Sequence, residues 1–91
     1  MLDDEKIQEI YKKIGQNVAA ARKERKISQL ALSLEMGYKS VSLVSFGEIC
    51  LKGAHFNIAH LLQISQILDI PFNSLFNGIQ EILDKSKDLE P

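Results

Sequence analysis

Ile7, Ile10, Tyr11, Ile14, Val18 and Ala21 stand at i, i+3, i+4, i+7, i+11 and i+14. That spacing lines one side of an α-helix and cannot line one face of a strand, whose side chains alternate with a period of two. It predicts a first helix from about Asp4 to Arg25, with an apolar stripe that must pack against something. The rest of the chain keeps the same period. Ser28 stands where an N-cap belongs, with Leu32 and Met36 behind it, and Gly37 supplies the left-handed residue that ends a short second helix, Ser28 to about Met36. Ser40 is placed to cap a third helix, Val41 to Ile49, with Val44 and Gly47 on one face. Cys50 to Phe56 shows no clear period and reads as a loop. Asn57 is placed to cap a fourth helix, whose apolar side is Ile58, Leu61, Leu62, Ile64 and Leu68, with Asp69 near its end. Pro71 cannot continue that helix, because it lacks an N–H, but it suits the start of a fifth. Phe72, Leu75, Phe76, Ile79, Ile82 and Leu83 continue at helical spacing, interrupted by Asn77-Gly78. No run of β-branched residues alternates with polar ones, so the expected fold class is all-α, four or five helices with short connections.

A chain of 91 residues supports one domain with a single core, taken as residues 1–91. Apolar residues at 45% and charged residues at 25% match an ordinary globular chain rather than a disordered one. No run of eighteen apolar residues occurs and the N-terminus MLDDEKIQEI is acidic, so a cytoplasmic location and no membrane partner are expected. The lone cysteine, Cys50, has no disulfide or CxxC partner. His55 and His60 are five apart without a third ligand, so no metal site or cofactor is expected. Cys50 has no His and acid at catalytic spacing and there is no phosphate-cradling glycine loop, so an enzyme is not expected. The net charge of −1 hides a pattern: residues 1–10 carry −3, residues 11–53 carry +5 from eight basic and three acidic residues, and residues 54–91 carry −3. A basic middle between acidic ends leaves room for one polyanion-facing surface.

Two short helices joined by a tight glycine turn, under a longer first helix, make a helix-turn-helix. In that arrangement the second helix crosses the phosphate backbone and the third enters the major groove. The run IGQNVAAARKERKISQLALSLEMG, the helix ending in Glu48 and the segment NIAHLLQISQILDIPFNSLF resemble the Cro/cI-type (XRE-like) helix-turn-helix family of bacterial and phage transcriptional regulators. The likeness covers about residues 14–76, leaving 77–91 as a C-terminal helical extension or tail. It rests on Ile14-Gly15, Arg22, Ser28-Gln29, Leu32, Gly37, Glu48 and the closing IPFNSLF, an ordered set at near-family spacing.

The resemblance implies a five-helix, lambda-repressor-like DNA-binding domain acting as a homodimer on a pseudo-palindromic operator in double-stranded DNA. It implies that Gln29 hydrogen-bonds a phosphate, that Ser40 caps the third helix and touches a phosphate beside Lys39, and that Lys52 adds charge from the following loop. Val41, Ser42, Ser45 and Phe46 fall at or beside the base-facing positions, with Val44 toward the core. Arg22 and Glu48 match a pair that in this family ties the first helix to the end of the third as a structural salt bridge. Three departures matter. One more residue separates Gly37 from Glu48 than in the commonest pattern, which implies a longer turn and a slip of one position in the third helix. Cys50 stands where a glycine is usual, so a left-handed cap is not expected there. The reading face holds no Arg, Asn or Gln, the side chains that read guanine or adenine by paired hydrogen bonds. Val41 and Phe46 are left to pack on thymine methyl groups and Ser42 to hydrogen-bond a base edge.

Other segments carry two readings. In RKERK, residues 22–26, Lys23 and Arg25 suit the solvated end of the first helix, whereas Lys26 suits that end or a phosphate equally. Leu30 and Leu34 occupy positions the family usually fills with charge. They are expected to pack on the first helix or the C-terminal tail; exposed, they would join Phe46, Ile49 and Leu51 in an apolar surface for a protein partner. That second case makes the chain a protein-interaction module on a helix-turn-helix scaffold, such as a partner regulator or toxin-neutralising subunit. Ile79, Ile82 and Leu83 either complete the monomer core or pair across a two-fold axis.

Overall fold

The computed structural model describes residues 2–88, with side chains through residue 86; the last residues of the C-terminal extension, from 89, lie outside the described residues. Five α-helices are present and no strand occurs among the described residues. Helix α1 spans Asp4–Glu24. It starts because Asp3 accepts a hydrogen bond from the Lys6 amide at 2.8 Å, and it carries Asp4 and Glu5 in its first turn and Arg22 and Lys23 in its last, each sign matched to the helix dipole. Helix α2 is Gln29–Glu35, capped by the Ser28 hydroxyl, which accepts from the Ala31 amide at 3.0 Å. It ends at Gly37, whose φ of +94° is open to glycine and strained for other residues.

Helix α3 spans Ser42–Ile49, one residue later than the sequence spacing suggests. The cap position belongs to Val41, which makes no side-chain cap, and the Ser40 hydroxyl lies 3.4 Å from the Ser42 amide. The reason is the longer turn: the Ser40 carbonyl is held by the buried Ser33 hydroxyl at 2.6 Å, which delays the first helical residue. A second correction concerns Cys50, which does adopt the left-handed conformation at the end of α3 (φ 55°, ψ 40°) despite its Cβ. Residues 50–56 are not featureless either, since Leu51–Gly53 form a 3-10 turn.

Helix α4, Ile58–Leu68, begins with a reciprocal cap: Asn57 Oδ1 accepts from the His60 amide at 2.8 Å and the Asn57 amide donates to His60 Nδ1 at 3.1 Å. Pro71 does not open the fifth helix. It precedes a 3-10 turn, Phe72–Phe76, and α5 starts only at Ile79 and runs to Asp88. Asn17 of α1 explains the break, because its Nδ2 donates to the carbonyls of Leu75 (2.9 Å) and Asn77 (2.8 Å), groups that a continuing helix would have used. Gly78 (φ +86°) then reverses the chain under the aliphatic part of Lys13.

The core joins all these elements but α5's exposed side. Val18, Leu32, Val44, Leu61, Ile64, Leu68 and Leu75 are almost wholly withdrawn from solvent, each worth roughly 1.5–3 kcal/mol of transfer free energy. From α5, Ile79 packs on this core at its edge, and Ile82 is buried outside the cluster. No described helix is long and apolar enough to cross a membrane.

Candidate functional site

Helix α3 is placed by two glycines and one ion pair. A Cβ on Gly15 of α1 would stand 2.5 Å from the Glu48 carbonyl oxygen, and one on Gly47 would stand 2.6 Å from the Phe56 ring. Only glycine lets α1 and α3 approach this closely. Around the same crossing, Arg22 Nε donates to Glu48 Oε2 at 2.7 Å and Nη2 donates to Oε1 at 3.0 Å, a two-pronged pair with both residues buried. Arg22 Nη1 donates to the Ile27 carbonyl at 3.0 Å, and Gln29 Nε2 donates to Glu48 Oε1 at 2.8 Å. Among the described residues no buried side-chain nitrogen or oxygen lacks a partner, so the charges are compensated in full. The network ties α1, the start of α2 and the end of α3 into one geometry.

With Val44, Gly47 and Glu48 turned inward, α3 presents Ser42, Ser45, Phe46 and Ile49 outward, at i, i+3, i+4 and i+7. Phe46 is 38% exposed and Ile49 64%. The residues singled out from sequence are therefore brought together in part. Ser42, Ser45 and Phe46 share the stripe, whereas Val41 sits at the cap position, half-buried on its flank. Ile49, expected only as part of an apolar surface for a protein partner, joins the same stripe when the period is counted from Ser42. Gln29 lies at the start of α2 with one amide hydrogen committed to Glu48 and its second available.

Few charged residues belong to the segment that carries this stripe. From Met36 to Leu68 the only acidic residue is Glu48, which faces Arg22. Lys39 and Lys52 are exposed and make no ion pair, since the pairs among the described residues are Lys6 with Glu9 and Arg22 with Glu48. Arg25 is otherwise engaged, donating to the Asp69 carbonyl at the end of α4 at 3.0 Å.

Beside the stripe lies an open cleft of about 320 Å³, lined by Tyr38, Leu43, Phe46, Ala54 and His55 together with Ser40 and Ser42. His55 is fixed there: its ring stacks on Tyr11 at 3.9 Å and 17°, and Nδ1 lies 3.3 Å from the Gly53 carbonyl. Tyr38 and Leu43 were not singled out, because neither belongs to the outward stripe and only the fold brings the turn, α3 and the following loop together. Burial pushes the Cys50 thiol up, with the Lys12 charge pulling the other way, so this cysteine is not an activated thiolate. His60 is taken by the α4 cap, and no group of three His, Cys, Asp or Glu residues converges among the described residues.

Leu30 and Leu34 stay half-exposed among the described residues. They are 48% and 53% exposed on the outer side of α2, because Leu32 and Ser33 take the inward positions of this short helix.

No profile of a known family, no curated protein and no solved structure matches the chain.

Proposed function

We propose that this protein is a sequence-specific DNA-binding transcriptional regulator of phage-repressor type, with α2 and α3 as its helix-turn-helix. One observation carries the reading: a rigidly braced α3 presents Ser42, Ser45, Phe46 and Ile49 outward, with lysines free of ion pairs before and after it in the chain and with Glu48, the only acid of residues 36–68, turned inside. An α-helix fits the major groove, and positive charge free of ion pairs attracts a polyanion. Lys39, Lys52 and Ser40 then contact phosphates, as does Gln29 through its second amide hydrogen, oriented by its bond to Glu48. Val41 borders the reading stripe. A homodimer presents two such stripes to a pseudo-palindromic site. The resemblance to the Cro/cI-type regulators supports the same assignment.

Selection of bound duplexes from a random pool, at two salt concentrations, tests it. A short, two-fold related motif is expected, bound more weakly at the higher salt. Failure to enrich any sequence at low salt would remove the proposal.

A second reading has its own observation, the exposed Leu30 and Leu34 on α2. They support a protein-interaction module on the same scaffold. Leu30→Ser with Leu34→Ser leaves duplex affinity unchanged if DNA is the partner of the α3 face alone. The same pair abolishes assembly with a partner protein if α2 is the working surface.

A further inference from the structure

The α3 stripe lacks the side chains that read guanine or adenine by paired hydrogen bonds, yet it borders a shaped cleft. We propose that the cleft between Tyr38, Phe46 and His55 receives thymine 5-methyl groups, so that the protein reads thymine by apolar contact. This rests on the DNA-binding function proposed above.

Three features lead there. The walls are carbon-rich, made by two aromatic rings, Leu43 and Ala54, and the cleft opens beside the outward side of α3, sharing Phe46 and Ser42 with the stripe. On the base edges of the major groove the thymine methyl is the one apolar group, so it is the one feature such walls distinguish. One wall is already positioned before any ligand arrives, because the His55 ring stacks on Tyr11 and its Nδ1 lies 3.3 Å from the Gly53 carbonyl. A preformed wall loses little conformational freedom on binding. Lys39 and Lys52, without ion pairs, provide the charge that favours a duplex over an apolar peptide as occupant. Ser42, which also lines the cleft, complements the polar base edge beside those methyls.

The test uses the full chain and the duplex that it enriches from a random pool. Each thymine is replaced in turn by deoxyuridine, which removes the methyl and leaves every hydrogen-bonding group. Affinity is expected to fall about four-fold per methyl held in the cleft, the equivalent of one buried carbon group. Replacing the same thymine by 5-methylcytosine is expected to retain more affinity than replacing it by cytosine. Phe46→Ala should weaken binding to the thymine duplex and erase the thymine-to-deoxyuridine difference; circular dichroism verifies its fold, and the base substitutions need no variant. Tight binding that is indifferent to every deoxyuridine replacement overturns the cleft and leaves the DNA-binding function standing. Enrichment of no duplex at all overturns both, and the two failures are distinguished by that difference.

Discussion

Gly15 of α1 and Glu48 of α3 meet backbone against backbone, with room for a hydrogen where a Cβ would lie 2.5 Å from the Glu48 carbonyl oxygen. Because the obstacle is main chain, it cannot swing aside as a side chain does. Gly15→Ala is expected to lower stability by about 1–3 kcal/mol or to displace α3 from α1. Chemical denaturation reads the first outcome, and an unchanged midpoint would show that the crossing is looser than described.

The ion pair beside this contact makes a second prediction. Arg22→Ala and Glu48→Ala each leave a buried charge with fewer partners, a loss of about 3–5 kcal/mol. Replacing both by apolar residues should cost much less than the two losses added together, because no charge is then stranded. A double-mutant cycle that comes out additive contradicts this account of the network.

His60 gives the α4 cap a pH dependence. Its neutral Nδ1 accepts from the Asn57 amide. Burial lowers its proton affinity below the ordinary value of 6.5, and the charge of His55 lowers it further. The folded-state pKa is depressed, so the unfolded chain binds the proton more readily. The contribution is complete above pH 6.5 and is lost as pH falls through the lower folded value. Thermal melts across this window should show a decline in wild type that is shallower in His60→Gln, whose amide caps without titrating. Parallel curves would count against it.

Lys39 and Lys52 flank the α3 stripe without ion pairs. If each neutralises one phosphate, Lys39→Ala and Lys52→Ala each flatten the dependence of log affinity on log salt by about 0.9. The loss should be similar on specific and unrelated duplexes. A change confined to one sequence would instead make these lysines base readers.

The helices were legible where one side of a period-3.6 pattern is apolar and a small polar residue precedes it: Ser28 before Leu32, Asn57 before Leu61 and Ile64. Legibility failed where a distant group decides the local conformation. Pro71 and the aromatic residues after it have helical spacing, but the Asn17 amide, far away in sequence, takes the carbonyls of Leu75 and Asn77. Ser40 has a capping side chain, but Ser33 holds its carbonyl and the helix waits for Ser42. Within the site, the resemblance placed Ser42 and Phe46 on one reading face, and the slip of one residue in the third helix kept Ile49 off that face. The cleft was beyond reach of any single segment, since Tyr38, Phe46 and His55 come from a turn, a helix and a loop.

Lys26, Cys50, Lys52 and Asp69 each hold a left-handed backbone with a Cβ attached. Such positions are where a protein engineer looks first, because glycine relieves about 1 kcal/mol of crowding at each. They are not equivalent. Lys52 supplies charge beside the α3 stripe and Cys50 ends that helix, whereas Lys26 and Asp69 lie in other connectors, and Asp69 serves Arg25 through its main-chain carbonyl alone. Lys26→Gly and Asp69→Gly therefore offer a route to a more heat-tolerant version that leaves the α3 surface as it is.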